Sequence, residues 1–257
     1  MKETNISTMY PITDCIISYD STRAIVVMKR NDKEYFVKMY GLESYKLTFE
    51  ERIGGEENDY IKMKEVEQNS KGDQYAFVYF NDGKWMLRNF GKVKRTDEEI
   101  KQNELDINQL VGIDDWTMAN QDFPDPYIVC CFVTDEKVFI GFFHNFTLTH
   151  YHFIYDIEKR EVVGEIVQTK MDCNKKNFPY KSFFNEDLNE IYLFYRQGQS
   201  FIIDAQEPNK FILNKMTDLD VGQMYLVYNQ ALVFRSSSDI LFYRLKLNEI
   251  TGEREWK

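Results

Sequence analysis

Short runs rich in Val, Ile, Phe and Tyr, each cut off by polar turn residues, recur along the whole chain. That pattern predicts strands, since β-branched and aromatic residues suit a pleated, half-buried surface. The clearest series is Lys137–Gln168, KVFIGFFHNFTLTHYHFIYDIEKREVVGEIVQ. An apolar strand at Lys137–Phe143 runs into a polar turn at His144–Asn145. A second strand covers Leu148–Ile157, and after a charged turn at Glu158–Arg160 a third covers Glu161–Ile166.

The same order of strands and turns aligns in five units. The first unit is Cys15–Tyr19, Ala24–Lys29, Glu34–Tyr40 and Tyr45–Arg52. The second is Ile61–Val66, Gln74–Phe80, Lys84–Phe90 and a weaker strand near Lys92–Lys94, with Asn81-Asp82-Gly83 as its hairpin turn. The third begins at Tyr127–Val133 and continues through the series above. The fourth is Tyr180–Phe184, Glu190–Tyr195, Ser200–Asp204 and Lys210–Asn214. The fifth is Met224–Tyr228, Ala231–Arg235, Ile240–Lys246 and Glu253–Trp256. A period of roughly 40–50 residues per four-stranded unit is that of a propeller blade, a small sheet that covers its faces by stacking on its neighbours. The expected fold class is therefore all-β, a propeller of about five four-stranded blades spanning residues 1–257 as one domain. Five units also fit part of a larger propeller, and a short strand near Asn5–Tyr10 is placed to complete the last sheet.

One segment departs from the β pattern. Thr96–Val111, TDEEIKQNELDINQLV, predicts a helical insertion between the second and third blades. Thr96 and Glu99 form a capping box, Asp97 to Glu99 put acids in the first turn, and Ile100, Ile107, Leu110 and Val111 form an apolar stripe.

Two stretches carry a family resemblance. FIYDIEKREVVGEI (Phe153–Ile166) and FYRLKLNEITGERE (Phe242–Glu255) stand where WD40 repeats have their third strand, turn and fourth strand. The chain resembles a WD40-like β-propeller over nearly its whole length, with Tyr155-Asp156 where the family has Trp-Asp and with no Gly-His pair. The resemblance implies a propeller-like arrangement, and by analogy of fold a scaffold for protein–protein interaction.

Composition narrows the function classes. A net charge of −10 opposes phosphate, so nucleic acid is not expected as a partner. No apolar stretch reaches the length of a membrane span, and the amino terminus has no apolar signal core, so no membrane insertion and a cytoplasmic, intracellular location are expected. Cys15, Cys130, Cys131 and Cys173 lack C-x-x-C spacing, and Cys130-Cys131 sit in the apolar run YIVCCFV as small core residues.

Candidate chemistry is sparse. All three histidines fall within nine residues, at His144, His150 and His152. His150 and His152 share a strand face, with Asp156 on the same face, so they are weak candidates for a metal site. The alternative places them as polar residues on an exposed face. A hydrolase acting on a small or carbohydrate substrate needs paired carboxylates in the central channel, and only Asp14 and Asp125 stand at inner-strand starts. No G-x-S-x-G elbow or phosphate-cradling glycine loop occurs, and no cofactor is expected. The sequence thus favours a non-enzymatic module whose partners are other proteins within a larger assembly. Its candidate partner-binding residues are Glu99, Glu104 and Ile107 of the insertion and Asp115 and Trp116 of the loop after it, with the loop Gly54–Tyr60 as a further contact element.

Overall fold

The computed structural model describes residues 10–17, 22–54, 61–69, 74–81, 84–91, 104–113, 127–144, 147–171, 179–195, 199–215, 223–226, 231–235, 240–247 and 254–256. They belong to two compact units, Met1–Met118 and Ala119–Lys257.

The first unit holds two four-stranded antiparallel meanders. One is β1 (Ile12–Ile17), β2 (Arg23–Asn31), β3 (Glu34–Gly41) and β4 (Leu47–Gly54), hydrogen-bonded in chain order. The other is β5 (Ile61–Gln68), β6 (Gln74–Asn81), β7 (Lys84–Gly91) and β8 (Glu104–Asp106), also in chain order. The run AIVVM in β2 is buried at every position, as a central strand covered on both faces must be. Ile25, Val27, Tyr35, Val37, Met39 and Ile53 of the first sheet pack with Tyr75 and Tyr79 of the second. Asn81 pairs with Lys84, which agrees with the expected hairpin, although Asp82-Gly83 lie outside the described residues.

The expected insertion differs from its sequence pattern over the residues that are described. Thr96, Glu99 and the predicted strand at Lys92–Lys94 lie outside the described residues. Among the described residues of the segment, Glu104–Asp106 is the fourth strand of the second sheet, paired with Met86–Arg88, and Ile107–Val111 is helical (α1). The ladder wins because it supplies backbone partners and two ion pairs at once, Glu104 to Arg88 and Asp106 to Lys84. Helix nucleation by contrast fixes several residues for one bond. Asp106 caps α1 by accepting from the Gln109 N–H at 3.0 Å. Gly112 ends it with a φ of 68°, the left-handed geometry that glycine adopts without strain.

The second unit holds the remaining sheets. The first contains β9 (Tyr127–Phe132), β10 (Lys137–His144), β11 (Thr149–Asp156) and β12 (Glu161–Lys170). The next contains β13 (Pro179–Asn185), β14 (Glu190–Tyr195), β15 (Gln199–Asp204) and β16 (Phe211–Lys215). The last contains β17 (Gln223–Leu226), β18 (Ala231–Arg235), β19 (Ile240–Leu247) and β20 (Arg254–Trp256). All are antiparallel meanders.

Val129, Cys131, Phe139, Phe143 and Ile154 interleave with Ile191, Leu193, Tyr195, Phe201 and Ile203 to make the core between the first two of these sheets. A Cβ at Gly141 would lie 3.1 Å from the Phe139 ring and 3.3 Å from Leu193, so these neighbours would have to give way by a few tenths of an ångström. The register of β11 against β12 shifts between His152 and Ile154, beside Gly164 with its φ of 79°, so β12 carries a bulge. Among the described aromatics of the opening series, Phe142, Phe143 and Phe153 are fully buried, and Phe142 stacks on Tyr151.

Candidate functional site

β11 is the central strand that brings the histidines into place. It is buried along its whole length, so side chains on both of its faces meet other side chains. His150 and His152 project toward β13–β16, where His150 stacks on Phe201 at 4.6 Å between ring centres and His152 meets Phe211 edge-on at 5.5 Å. The expected exposed face is therefore corrected: both rings are completely buried. The strand lies between two others in its sheet, and a second sheet covers the histidine face.

Each ring nitrogen has a partner. Tyr195 Oη lies 2.6 Å from His150 Nδ1, His150 Nε2 lies 2.9 Å from His152 Nδ1, and His152 Nε2 lies 2.8 Å from the Pro208 carbonyl. The carbonyl can only accept, which fixes the direction of the chain. His152 Nε2–H donates to Pro208, and its Nδ1 lone pair accepts from His150 Nε2–H. His150 Nδ1 then accepts from the Tyr195 hydroxyl. In this arrangement both rings are neutral, the state that their burial favours. Burial pushes His150 well below the ordinary imidazole value, and His152 adds to this, while the Phe142 carbonyl opposes it. Burial likewise pushes His152 down to about 4, against the Pro208 carbonyl.

This arrangement removes the basis for a metal site. The nitrogens of His150 and His152 face each other and protein oxygens rather than converging on a common point. His144 is held apart, its Nδ1 2.7 Å from Thr147 Oγ1, and its proton affinity is lowered by burial and by Lys170. Asp156 serves the following turn by accepting from the Lys159 N–H at 2.9 Å. Among the described residues no three His, Cys, Asp or Glu side chains are grouped to hold a metal ion.

A second buried polar cluster joins the two sheets of the first unit. Arg88 of β7 donates from Nε to Glu104 of β8 at 2.8 Å and from Nη1 to Glu51 of β4 at 3.0 Å. Its Nη2 pairs with Glu104, and the Tyr79 hydroxyl donates to that same carboxylate. The guanidinium lies over the Tyr79 ring, 5.7 Å from its centre. Burial opposes the charge on Arg88, but Tyr79, Glu104 and Glu51 outweigh it and hold its proton more firmly than usual. Burial is also the main reason the Tyr79 phenol stays protonated far above its ordinary range.

The structure redistributes the predicted contact residues. Glu104 belongs to the Arg88 cluster, and Ile107 is 0% exposed under α1, so neither offers a free surface. Asn108 of α1 accepts from the Trp85 N–H at 2.8 Å, which docks the helix on β7. Glu99, Asp115, Trp116, Asp125 and the loop residues 55–60 lie outside the described residues, and Asp14 is placed in β1, opposite Val27. Cys130 and Cys131 are buried, as the run around them predicts.

Sequence reading missed Arg88, Glu51, Tyr195 and Pro208, because their roles depend on which sheets face each other. It also missed the helix cap, although Asp106 followed by Gln109 and Gly112 carried the signal.

No family model and no curated protein matches the chain. Solved structures do. The β-propeller domain of Cps50 (Swd1) from Myceliophteria thermophila is similar with a TM-score of 0.60 and 11% identity, over 98% of this chain and 71% of that one. A complex of the fission yeast SREBP–SCAP binding domains gives 0.58 and 10%, over 100% of this chain and 62% of that one. TolB from Acinetobacter baumannii gives 0.52 and 13%, over 93% of this chain and 52% of that one. The chain therefore spans less than two thirds of the last two. At these identities the likeness concerns fold, and the chain has a β-propeller-like fold of repeated four-stranded sheets.

Proposed function

We propose that the chain is a non-catalytic propeller module that serves as a rigid platform for other proteins in a larger assembly, with its sheets as five blades of one domain. The observation that carries this reading is the use made of the buried polar groups. Arg88 is neutralised by Glu51 and Glu104, and His150 and His152 bond to each other, to Tyr195 and to Pro208. These groups hold sheets together. One of the similar structures is a complex of binding domains, and the same use of the fold is proposed here.

The contact elements of this reading are Thr96–Val111, Gly112–Pro126 and Gly54–Tyr60, with Glu99, Asp115 and Trp116 as contacts and Trp116 as the anchor. The test uses the full chain as bait and measures the affinity of the captured partner by calorimetry. Trp116→Ala is expected to weaken binding by more than tenfold, with the thermal midpoint of the free chain unchanged. Hydrolysis of a glycoside by the full chain, lost in Asp14→Asn and Asp125→Asn, would replace this reading with the hydrolase.

A further inference from the structure

We propose that Tyr195, His150 and His152 form an acid-operated latch between the sheets β9–β12 and β13–β16, which closes with both imidazoles neutral and opens with the uptake of two protons. The geometry carries this. The chain of bonds runs from β14 through β11 to the connection between β15 and β16, and so ties the two sheets through Tyr195 at one end and Pro208 at the other. Its direction is set by the Pro208 carbonyl, which has no proton to give. Every ring nitrogen is used, so an added proton must either reverse a bond already made or break one.

One added proton can be absorbed. On His150 Nδ1 it turns the Tyr195 hydroxyl from donor to acceptor, and the other bonds stand. A second cannot. It would place an N–H on His152 Nδ1 against the N–H on His150 Nε2, across 2.9 Å. The closed latch therefore holds at most one extra proton, whereas the open one exposes two ordinary imidazoles.

The surroundings give a charged ring little to replace water. β10 presents Phe139 and Phe143, β15 presents Phe201 and β16 presents Phe211. The polar neighbours are the Tyr195 hydroxyl and the carbonyls of Phe142 and Pro208. The charged side chains of the connection that carries Pro208 are engaged locally. Asp204 accepts from the Gln206 and Glu207 N–H groups, and Lys210 pairs with Glu207. Asp156, on the same face of β11, accepts from the Lys159 N–H, and Lys170 of β12 donates to the Thr147 carbonyl. Among the described residues no carboxylate is hydrogen-bonded to either ring to offset a positive charge.

The sign follows from linkage. Both imidazoles are harder to protonate in the folded chain than in the unfolded one, whose value is about 6.5. Their contribution to stability is fully present above that pH and is lost as pH falls from there towards about 4, the folded value of His152. With two protons taken up, the opening constant rises by at most about 100-fold per pH unit, a limit approached only well below pH 6.5.

The chain has only three histidines, so its imidazole C2–H signals are few enough to follow individually by NMR. Two of the three are expected to show no titration near pH 6.5 while the chain is folded. In parallel, denaturant unfolding of the wild type is compared from pH 7 to pH 5 with the double variant His150→Gln/His152→Gln. Glutamine offers an amide donor and an oxygen acceptor but does not titrate, so the variant is expected to lose most of this pH dependence. Equal pH dependence in the two proteins would overturn the proposal. Should the double variant not fold, the NMR titration decides, and His150 and His152 signals that titrate near 6.5 in the folded chain would overturn it.

Discussion

The two sheets of the first unit are joined through a charged cluster, and the first two sheets of the second through a neutral one. Arg88 reaches from β7 to Glu51 on β4 and Glu104 on β8, so the junction holds one fixed cation between two carboxylates. His150 and His152 reach from β11 towards β13–β16 as uncharged rings stacked among phenyl groups. The difference teaches what each junction is sensitive to. Charges buried as a set tolerate the whole range in which carboxylates stay ionised, but they depend on every member. A neutral histidine pair depends less on any single partner and more on the pH.

The largest expected effect is at Arg88. Arg88→Ala leaves Glu51 and Glu104 partly buried without their cation, and stability should fall by about 3–5 kcal/mol. Denaturant unfolding at pH 7 measures this, and a loss below about 1 kcal/mol would show that the cluster does not join the sheets. Next comes Gly141→Ala, which forces a methyl group against Phe139 and Leu193 in the neutral junction. Overpacking of this kind costs about 1–3 kcal/mol, read from the same unfolding curves. The smallest effect belongs to the edge of the first unit. Asp106→Ala removes the cap of α1 and its bond to Lys84 and should cost about 1 kcal/mol, seen as a lower thermal midpoint.

Much of this fold was legible in the chain. Glu190–Tyr195 and Ala231–Arg235 appear as the strands their composition predicts, and most other strands differ by a few residues at the ends. Apolar periodicity and turn residues are local signals, and a meander is built from local pairings. The insertion was less legible. LDINQLV has helical spacing, yet its first residues are drawn into a ladder with β7, a partner more than fifteen residues away in the chain.

The histidines show the same limit. THYHFIYD begins by alternating polar and apolar residues, the pattern of a strand with one exposed face, so its burial on both faces was not legible. The partners of His150 and His152 were not legible, because Tyr195 and Pro208 come from other parts of the second unit. The same is true of Arg88, whose carboxylates lie 37 residues before it and 16 residues after it.

The contrast between the junctions is tested most directly by amide hydrogen exchange on the full chain at pH 7 and pH 5, corrected for intrinsic rates. Protection in β10, β11, β14 and β15 is expected to fall by at least tenfold more than protection in β2, β3, β6 and β7. An equal fall in both units, or a greater loss in β2–β7, would contradict the assignment of acid sensitivity to the histidine pair.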